Sequence, residues 1–235
     1  MSVAALIAGA GSGTRLGANV PKALVELSGK PLILWAAESM LAAGVNEIIV
    51  TIPAGETESF ANVLHPLKGM HPNLELKFVV GGSTRQMSVA NGLAAVEAEY
   101  VLIHDAARAL TPVKQIETVI QALENGNDAV IPALAVVDTV KRIKGENFVS
   151  ETLDRTDLRA IQTPQGFRTE VIRAAHKFGE SLSETEQSAV PDDAALIELM
   201  GAEVLVVPGS RRALKITTAE DLALSEFFLT YEEQD

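Results

Sequence analysis

Short apolar runs typical of β-strands alternate along this chain with stretches whose apolar residues recur at helical spacing. This alternation constrains the fold more than any other feature, because it favours a parallel sheet with helices laid on it. Aromatic residues make up only 4% of the sequence, which argues against an aromatic-rich β-sandwich. We therefore predict a doubly wound, mostly parallel α/β fold. Strands are predicted at Val3–Ala8, Glu47–Ile52, Leu76–Val80, Tyr100–Ile103, Ala129–Ala133 and Val204–Val207, and helices at Leu32–Ala43, Arg85–Ala98, Pro112–Glu124, Thr169–Phe178, Asp193–Met200 and Ala219–Leu229.

The length of 235 residues predicts a single domain over residues 1–235, since it suffices for one sizeable core and is short for two enzyme domains. One segment interrupts the alternation of strands and helices. Asp138–Arg142 and Phe148–Thr152 have the pattern of two extended pieces joined around Lys144–Asn147, which predicts an inserted β-hairpin. The pattern alone favours a solvated surface hairpin, and its Thr, Lys and Arg content leaves a binding role open.

Charge and composition limit the partners of the chain. The formal net charge of -12 argues against nucleic acid or an anionic membrane as the main partner, because both would be repelled. The chain has no cysteine, which excludes a disulfide framework and a thiolate metal site and fits a reducing compartment. Residues 1–11 lack the features of a signal peptide, and no apolar run is long enough to span a bilayer. We expect a cytoplasmic protein whose anionic substrates meet a local cluster of Lys and Arg.

A glycine-rich loop, Gly9–Gly17, follows the first predicted strand directly and is followed in turn by Pro21 and Lys22. Glycines let the backbone N–H groups approach a phosphate closely. Arg15 and Lys22 add positive charge, which can stabilise the negative charge that gathers on an α-phosphate during nucleotidyl transfer. The loop thus indicates a site for a nucleoside triphosphate, with a tight strand-to-helix turn as the alternative.

Two better-known glycine motifs fit this loop poorly. A P-loop needs a Lys-Ser or Lys-Thr pair after its last glycine, whereas this loop offers Thr14 and Arg15. A dinucleotide-binding loop needs an acidic residue at the end of the second strand, which instead ends at Thr51–Pro53.

A second glycine pair and a lone acid follow two later strands. Gly81–Ser88 precedes a predicted helix and presents backbone donors to an anion, although a plain helix start with Ser83 as N-cap explains part of the pattern equally well. His104–Arg108 lies at the carboxyl end of a strand, where open α/β sheets bind ligands. Asp105 is the predicted magnesium ligand, because Mg²⁺ often takes only one or two carboxylates. His104 is predicted to be structural.

These motifs together resemble the 2-C-methyl-D-erythritol 4-phosphate cytidylyltransferases of the non-mevalonate isoprenoid pathway. The resemblance spans nearly the whole chain and is carried by the glycine loop with Pro21-Lys22, Gly81-Gly82 with Arg85 and Ser88-Val89, His104–Arg108, Asp138-Thr139 with Lys141-Arg142, Arg155, Gln162–Gln165, Asp192–Ala194 and Lys215–Thr217. It implies a Rossmann-like nucleotidyltransferase fold and transfer of CMP from CTP to the sugar phosphate. The rival readings are a ribitol 5-phosphate cytidylyltransferase and a non-catalytic nucleotide-binding homologue.

The resemblance also implies roles for individual residues. The expected catalytic residues are Arg15, Lys22, Arg155 and Lys215. The expected contacts to CTP and Mg²⁺ are Gly9, Ala10, Gly11, Gly13, Gly81, Gly82, Arg85, Ser88, Asp105 and Ala106, with Asp105 holding the metal. The expected contacts to methylerythritol phosphate are Arg108, Asp138, Thr139, Arg155, Thr163 and Lys215.

The hairpin, as residues 136–156, is by resemblance an arm that crosses to a second subunit of a homodimer. Thr139 and Arg155 would then serve the neighbour's site. The sequence departs from the common family pattern at Ala8-Gly9, Met87, Ala109, Pro191 and Ala213, none of which removes a charge assigned to chemistry.

Overall fold

The computed structural model describes residues 1–11, 20–183, 185–186 and 190–231. Its strands are β1 (Val3–Ala8), β2 (Glu26–Leu27), β3 (Lys30–Pro31), β4 (Glu47–Ile52), β5 (Glu75–Val80), β6 (Tyr100–Asp105), β7 (Ala129–Ala135), β8 (Lys141–Lys144), β9 (Phe148–Thr152), β10 (Arg159–Ile161), β11 (Gln165–Arg168) and β12 (Leu205–Pro208). Its α-helices are α1 (Leu32–Ala42), α2 (Thr57–Leu64), α3 (Leu67–Met70), α4 (Arg85–Leu93), α5 (Val113–Glu124), α6 (Thr169–Glu180), α7 (Asp193–Leu199) and α8 (Ala219–Thr230), with 3₁₀ turns at Lys22–Leu24 and Arg211–Ala213.

The central sheet of the described chain has eight strands, and its main path runs β7, β11, β6, β1, β4 and β5. β1 pairs parallel with β4 on one side and with β6 on the other, and β4 pairs parallel with β5. β11 runs antiparallel between β6 and β7, while β10 and β12 also pair with β7. The chain therefore builds outwards from β1 to β5 and then returns to the other side of β1. Ligands of open α/β sheets bind at such a switch point, beyond the carboxyl ends of the strands.

Helices cover both faces of this sheet. Successive β1 side chains point to opposite faces, so that Ala5 and Ile7 join the apolar cluster with α1, α2 and α5, whereas Ala4 and Leu6 join the cluster with α4, α6 and α7. Burial on both faces explains why β1, at the centre of the sheet, is wholly apolar. The predicted doubly wound, mostly parallel α/β fold is confirmed.

Two details of the predicted α4 region are wrong. The helix ends at Leu93 rather than at Ala98. Beyond Leu93 the backbone has a partner outside the helix, since the carboxylate of Glu47 in β4 accepts from the N–H groups of Glu97 and Ala98 at 2.9 and 3.0 Å. At its start, Thr84 rather than Ser83 is the N-cap and accepts from the Met87 N–H at 3.1 Å.

The inserted hairpin consists of β8 and β9, paired antiparallel, and every residue of both strands is exposed. The first strand begins at Lys141, not at Asp138 as predicted. The turn between them places Gly145 and Asn147 at φ values of 53° and 72°, a left-handed conformation that these two residue types adopt readily. In the part of the chain that the structure describes, no helix combines the length and apolar character needed to cross a bilayer.

Candidate active site

A cavity of about 540 Å³ opens at the switch point of the sheet, beyond the carboxyl ends of β1, β4 and β6. The glycine loop after β1, the start of α4, the segment after β6 and the segment before α8 all contribute to its wall. Its described lining consists of Ala8–Gly11, Lys22, Ala23, Thr51, Gly82–Arg85, Ser88, Asp105–Ala107, Lys215 and Thr217. Sequence reasoning gave neither Thr51 nor Thr217 a role in the site, although Thr217 belongs to a motif that carries the resemblance.

Close backbone packing holds the two glycine segments together. The Gly9 N–H donates to the Thr51 carbonyl at 2.9 Å, and a Cβ on Gly9 would lie only 2.9 Å from that oxygen. A Cβ on Gly81 would lie 2.6 Å from the Ala10 Cβ. Side chains at either position would push the loops apart, so glycine is required where the walls of the cavity meet.

Ser88 fastens the turn that opens α4. Its hydroxyl accepts from the Gly82 N–H at 3.1 Å and donates to the Thr84 carbonyl at 2.8 Å. Ser88 and Gly82 were both predicted to contact the nucleotide, and both lie on the cavity wall. Gly81 supports the wall from behind through its contact with Ala10.

Asp105 lies at the end of β6, and its carboxylate forms ion pairs with two basic side chains. Arg85 Nε lies 3.1 Å from Oδ1, and Lys215 Nζ lies 2.8 Å from Oδ2. Burial raises the pKa of this carboxyl, but Arg85 and Lys215 outweigh the burial and hold the pKa well below its usual range. Asp105 is therefore an ionised carboxylate on the cavity wall.

Lys215 owes its position to the residue that follows it. The Ile216 N–H donates to the Ala107 carbonyl at 2.8 Å, and the Ile216 side chain is buried beside Leu27 and Leu32. This anchor places the Lys215 ammonium over Asp105, although the two residues are far apart in sequence. A capping box at Thr218 and Asp221 then starts α8 directly behind the site.

Arg85 connects the cavity to a carboxylate behind it. Its Nη1 lies 2.7 Å from Oδ2 of Asp193, while Oδ1 of Asp193 lies 3.1 Å from Nε2 of His176. Asp193 is 0% exposed and opens α7. Sequence reasoning noted Asp193 as part of a family motif but gave it no role.

His104 and Thr163 form a buried pair beneath Asp105. The Thr163 hydroxyl lies 2.9 Å from His104 Nδ1 and accepts from the Asp105 N–H at 3.1 Å. Burial lowers the pKa of His104 to about 4, so the imidazole is neutral near neutral pH. Both findings fit the predicted structural role of His104. Thr163, expected to contact the substrate, here orders the backbone of Asp105 from the interior.

Arg108 lies next to the cavity but is occupied by backbone carbonyls. Its Nη1 donates to Ala213 at 2.7 Å and its Nη2 to Ile161 at 3.3 Å. Burial lowers the pKa of this guanidinium. Arg108 thereby ties β10 and the segment before Lys215 to β6.

The remaining predicted residues fall into three groups. Ala10, Gly11, Lys22 and Ala106 lie on the cavity wall, whereas Gly13 and Arg15 lie outside the described residues. Asp138, Thr139 and Arg155 are exposed residues of the hairpin segment, and Arg155 donates to the Val137 carbonyl. The single chain does not place these three on the described cavity wall.

The donors on the cavity wall fit a magnesium ion that arrives with a nucleotide. Within the described ranges, no three His, Asp or Glu side chains converge into a group that could hold a metal by themselves. Mg²⁺ nevertheless needs only one or two carboxylates when phosphate oxygens and water complete its shell. The ionised Asp105 supplies such a hard oxygen ligand.

Comparisons with known proteins agree with this geometry. The family model for 2-C-methyl-D-erythritol 4-phosphate cytidylyltransferase matches residues 3–231. A protein of that name from Nocardia farcinica is 45% identical over 97% of this chain and 94% of its own length. Another from Saccharopolyspora erythraea is 42% identical over 97% of this chain and all of its own length.

Solved structures give the same result. The 4-diphosphocytidyl-2C-methyl-D-erythritol synthase of Anaerococcus prevotii superposes with a TM-score of 0.83 at 30% identity, covering 98% of this chain and 99% of that one. The cytidylyltransferase of Thermus thermophilus gives 0.77 at 33% identity, covering 98% and 100%. The chain therefore belongs to the 2-C-methyl-D-erythritol 4-phosphate cytidylyltransferase family.

Proposed function

We propose that this chain transfers CMP from CTP to 2-C-methyl-D-erythritol 4-phosphate, giving 4-diphosphocytidyl-2-C-methyl-D-erythritol and pyrophosphate. Membership of the family supports the reaction. The observation that carries the proposal is the ionised Asp105 held between Arg85 and Lys215, on a cavity wall shared with two glycine segments. Such a wall offers backbone donors, cations and a metal ligand to one triphosphate.

CTP is proposed to lie along the glycine loop after β1, with its base towards Gly82 and Ser88. The backbone of Gly9–Gly11 faces the cavity and can approach phosphates closely. Gly13, which lies outside the described residues, is proposed to contact the same nucleotide.

The chemical step needs no covalent enzyme intermediate and no general base. An oxygen of the substrate's 4-phosphate bonds to the α-phosphorus of CTP, the bond from that phosphorus to the bridging oxygen breaks, and pyrophosphate leaves with the electron pair. Negative charge rises on the α-phosphate oxygens as the new bond forms. Arg15 and Lys22 are proposed to stabilise that charge, and Lys215 to touch both substrates.

Asp105 is proposed to hold Mg²⁺ together with the triphosphate. The metal would supply charge neutralisation on the phosphate oxygens. Because Arg85 and Lys215 already pair with Asp105, these cations lie where they can exchange the carboxylate for phosphate oxygens once the nucleotide is bound.

The methylerythritol phosphate is proposed to bind where Arg108, Thr163 and Lys215 meet residues of a second subunit, namely Asp138, Thr139 and Arg155. Support comes from the hairpin, which carries the exposed apolar side chains Ile143, Phe148 and Val149. Exposed apolar side chains on both faces of one hairpin are typical of a surface covered in an assembly. We propose a homodimer formed through this arm, in a cytoplasmic enzyme.

A pyrophosphate-release assay tests the proposed reaction. Each of the four common nucleoside triphosphates is combined with 2-C-methyl-D-erythritol 4-phosphate, in Mg²⁺ and in EDTA. We expect turnover with CTP and Mg²⁺ and almost none in EDTA. Faster turnover of ribitol 5-phosphate would preserve the reaction class and overturn the substrate, and no pyrophosphate release under any condition would overturn the enzymatic role.

A further inference from the structure

Asp193 is a fully buried carboxylate that lies behind the cavity rather than on its described wall. Burying a carboxylate is costly unless both oxygens are paired. Here Arg85 pairs with Oδ2 and His176 with Oδ1, and these partners hold the pKa of Asp193 below its ordinary value despite the burial. A carboxylate that stays ionised at this depth is stabilised by a charged partner, and the contact holds that partner in place in return.

Arg85 is that partner, and it is held along two edges. Its Nε faces Asp105 and its Nη1 faces Asp193, so one guanidinium bridges a carboxylate on the wall and a carboxylate behind the wall. The planar fork of arginine allows both contacts only in one orientation. Asp193 therefore fixes the direction from which Arg85 reaches Asp105.

Asp193 also changes the balance of charge at Asp105. Without it, one carboxylate would face the two cations Arg85 and Lys215. With it, two carboxylates and two cations alternate along the contacts from Asp193 to Lys215. A divalent cation approaching Asp105 then meets less repulsion, because the Arg85 charge is shared with the buried acid.

We propose that Asp193 is a positioning residue that holds Arg85 and partly neutralises it, so that Asp105 can bind a divalent cation together with a nucleoside triphosphate. This inference rests on the proposed function, since it takes CTP and Mg²⁺ as the ligands. It predicts that removing the buried charge strengthens the binding of metal-free CTP and weakens the binding of the metal.

The test is Asp193→Asn, which removes the charge and nearly keeps the shape. Calorimetry measures the affinity for CTP in EDTA. The affinity for the metal is measured at fixed CTP by electron paramagnetic resonance of Mn²⁺, with Mg²⁺ titrated in as its competitor. We expect metal-free CTP to bind more tightly and the half-saturating metal concentration to rise, each by roughly three- to tenfold, because Arg85 is left with uncompensated charge. A purely structural defect would weaken the binding of CTP and the binding of the metal alike.

Two further variants keep the inference testable even if Asp193→Asn folds poorly. Arg85→Gln removes the cation itself and should shift both constants the opposite way, with weaker metal-free CTP binding and a lower metal requirement. Asp192→Asn is the matched control, since Asp192 caps α7 through the Ala195 N–H at 3.0 Å and does not pair with Arg85 in the structure. It should leave both constants unchanged while reporting any loss of α7 stability.

The outcomes separate the two proposals. If the wild-type chain binds no CTP, the proposed function fails and the variants are not needed to show it. If the wild-type chain binds CTP and metal but Asp193→Asn moves both constants in the same direction, moves neither, or matches Asp192→Asn, the role of Asp193 is overturned while the proposed function stands.

Discussion

Charged side chains from distant parts of the sequence meet at Asp105, and their contacts define what single residues do in this cavity. Arg85 comes from the start of α4 and Lys215 from the segment before α8, and both reach the same carboxylate. Lys22 lies on the same wall from the turn after the glycine loop. The consequences of removing one charge can therefore be stated residue by residue.

Lys22→Ala and Arg15→Ala should lower kcat much more than they raise KM for CTP. Each charge is proposed to act mainly as negative charge develops on the α-phosphate, and losing such a contact typically costs about two to three powers of ten in rate. Steady-state kinetics with varied CTP measures both constants. Lys68→Ala, an exposed lysine of α3 away from the described cavity wall, is the control. A change confined to KM would show equal binding of ground and transition states.

His104 predicts how stability depends on pH. Its pKa is lowered to about 4 by burial, so the unfolded chain binds more protons than the folded chain between that value and about 6.5, the ordinary pKa of histidine. The free energy of unfolding should therefore fall by about 3 kcal/mol as pH drops through this window. Urea unfolding in EDTA at pH 7, 6, 5 and 4.5 measures it.

His104→Asn should remove most of that dependence, whereas His71→Asn, outside the core, should retain it. The window above pH 5 is the informative part. Asp105 and Asp193 have lowered pKa values in the folded chain, so they add to the pH dependence only below about pH 5, where the unfolded carboxyls begin to bind protons. Equal pH dependence in wild type and His104→Asn would show that another group is responsible.

Sequence reasoning located the charged residues of the cavity better than their partners. Asp105 follows an apolar strand, and that position alone predicts a place at the carboxyl edge of the sheet. Thr163 and Asp193 could not be placed in this way, because their roles depend on contacts with residues far away in sequence, His104 and Arg85. Ala213, where the sequence departs from the common family pattern, has a fully buried side chain, and its carbonyl accepts a hydrogen bond from Arg108.

At the scale of elements, the period of the apolar residues predicted the parallel strands well and the antiparallel ones poorly. β1 and β4 are buried on both faces, so β1 is a continuous apolar run and β4 has four apolar residues among its six. β11 reads Gln165–Arg168 and contains a single large apolar residue, so no pattern marks it, although it fills the sheet between β6 and β7. Helix α2 was also missed, because only Phe60 and Leu64 of its eight residues are buried.

The hairpin is the element whose role can be tested by mixing two inactive variants. Lys22→Ala and Arg155→Ala chains, mixed under conditions that allow dimers to exchange, should recover activity if the two residues reach one site from different subunits. With equal amounts and random exchange, about half the dimers are mixed and each holds one intact site, so recovery should approach roughly a quarter of wild-type activity. Activity that stays at the level of the single variants, despite demonstrated exchange, would place both residues in the same chain's site.

At the scale of the whole molecule, the chain is acidic while its cavity gathers cations. The net charge of -12 is spread over 235 residues, whereas Lys22, Arg85 and Lys215 lie on one wall. A local field can thus attract a triphosphate although the molecule as a whole repels long polyanions.

Assembly is the property of the whole molecule that the hairpin should control. Phe148 is 71% exposed at the start of β9, and Phe148→Glu should weaken the proposed dimer by about tenfold or more, because a charge would replace an apolar anchor. Sedimentation equilibrium over a range of concentrations measures the change. Met70→Glu, at a residue that is 66% exposed on α3, should leave the assembly unchanged. Identical sedimentation of Phe148→Glu and wild type would argue against the arm as the interface.

The dependence of Asp105 on Lys215 and Asp193 also has a consequence for biosynthesis. A ribosome makes the chain from its first residue, so the glycine loop, Arg85 and Asp105 are made long before their later partners. Asp193 completes the ion pairs of Arg85, and Lys215 completes those of Asp105. Until Lys215 has left the exit tunnel, Asp105 lacks its lysine partner. Until Asp193 has left it, Arg85 can pair with Asp105 alone. A nascent chain stalled before this point would carry the residues of β1, β4 and β6 but lack the lysine that pairs with Asp105. Translation itself therefore delays the site until Lys215 has been made.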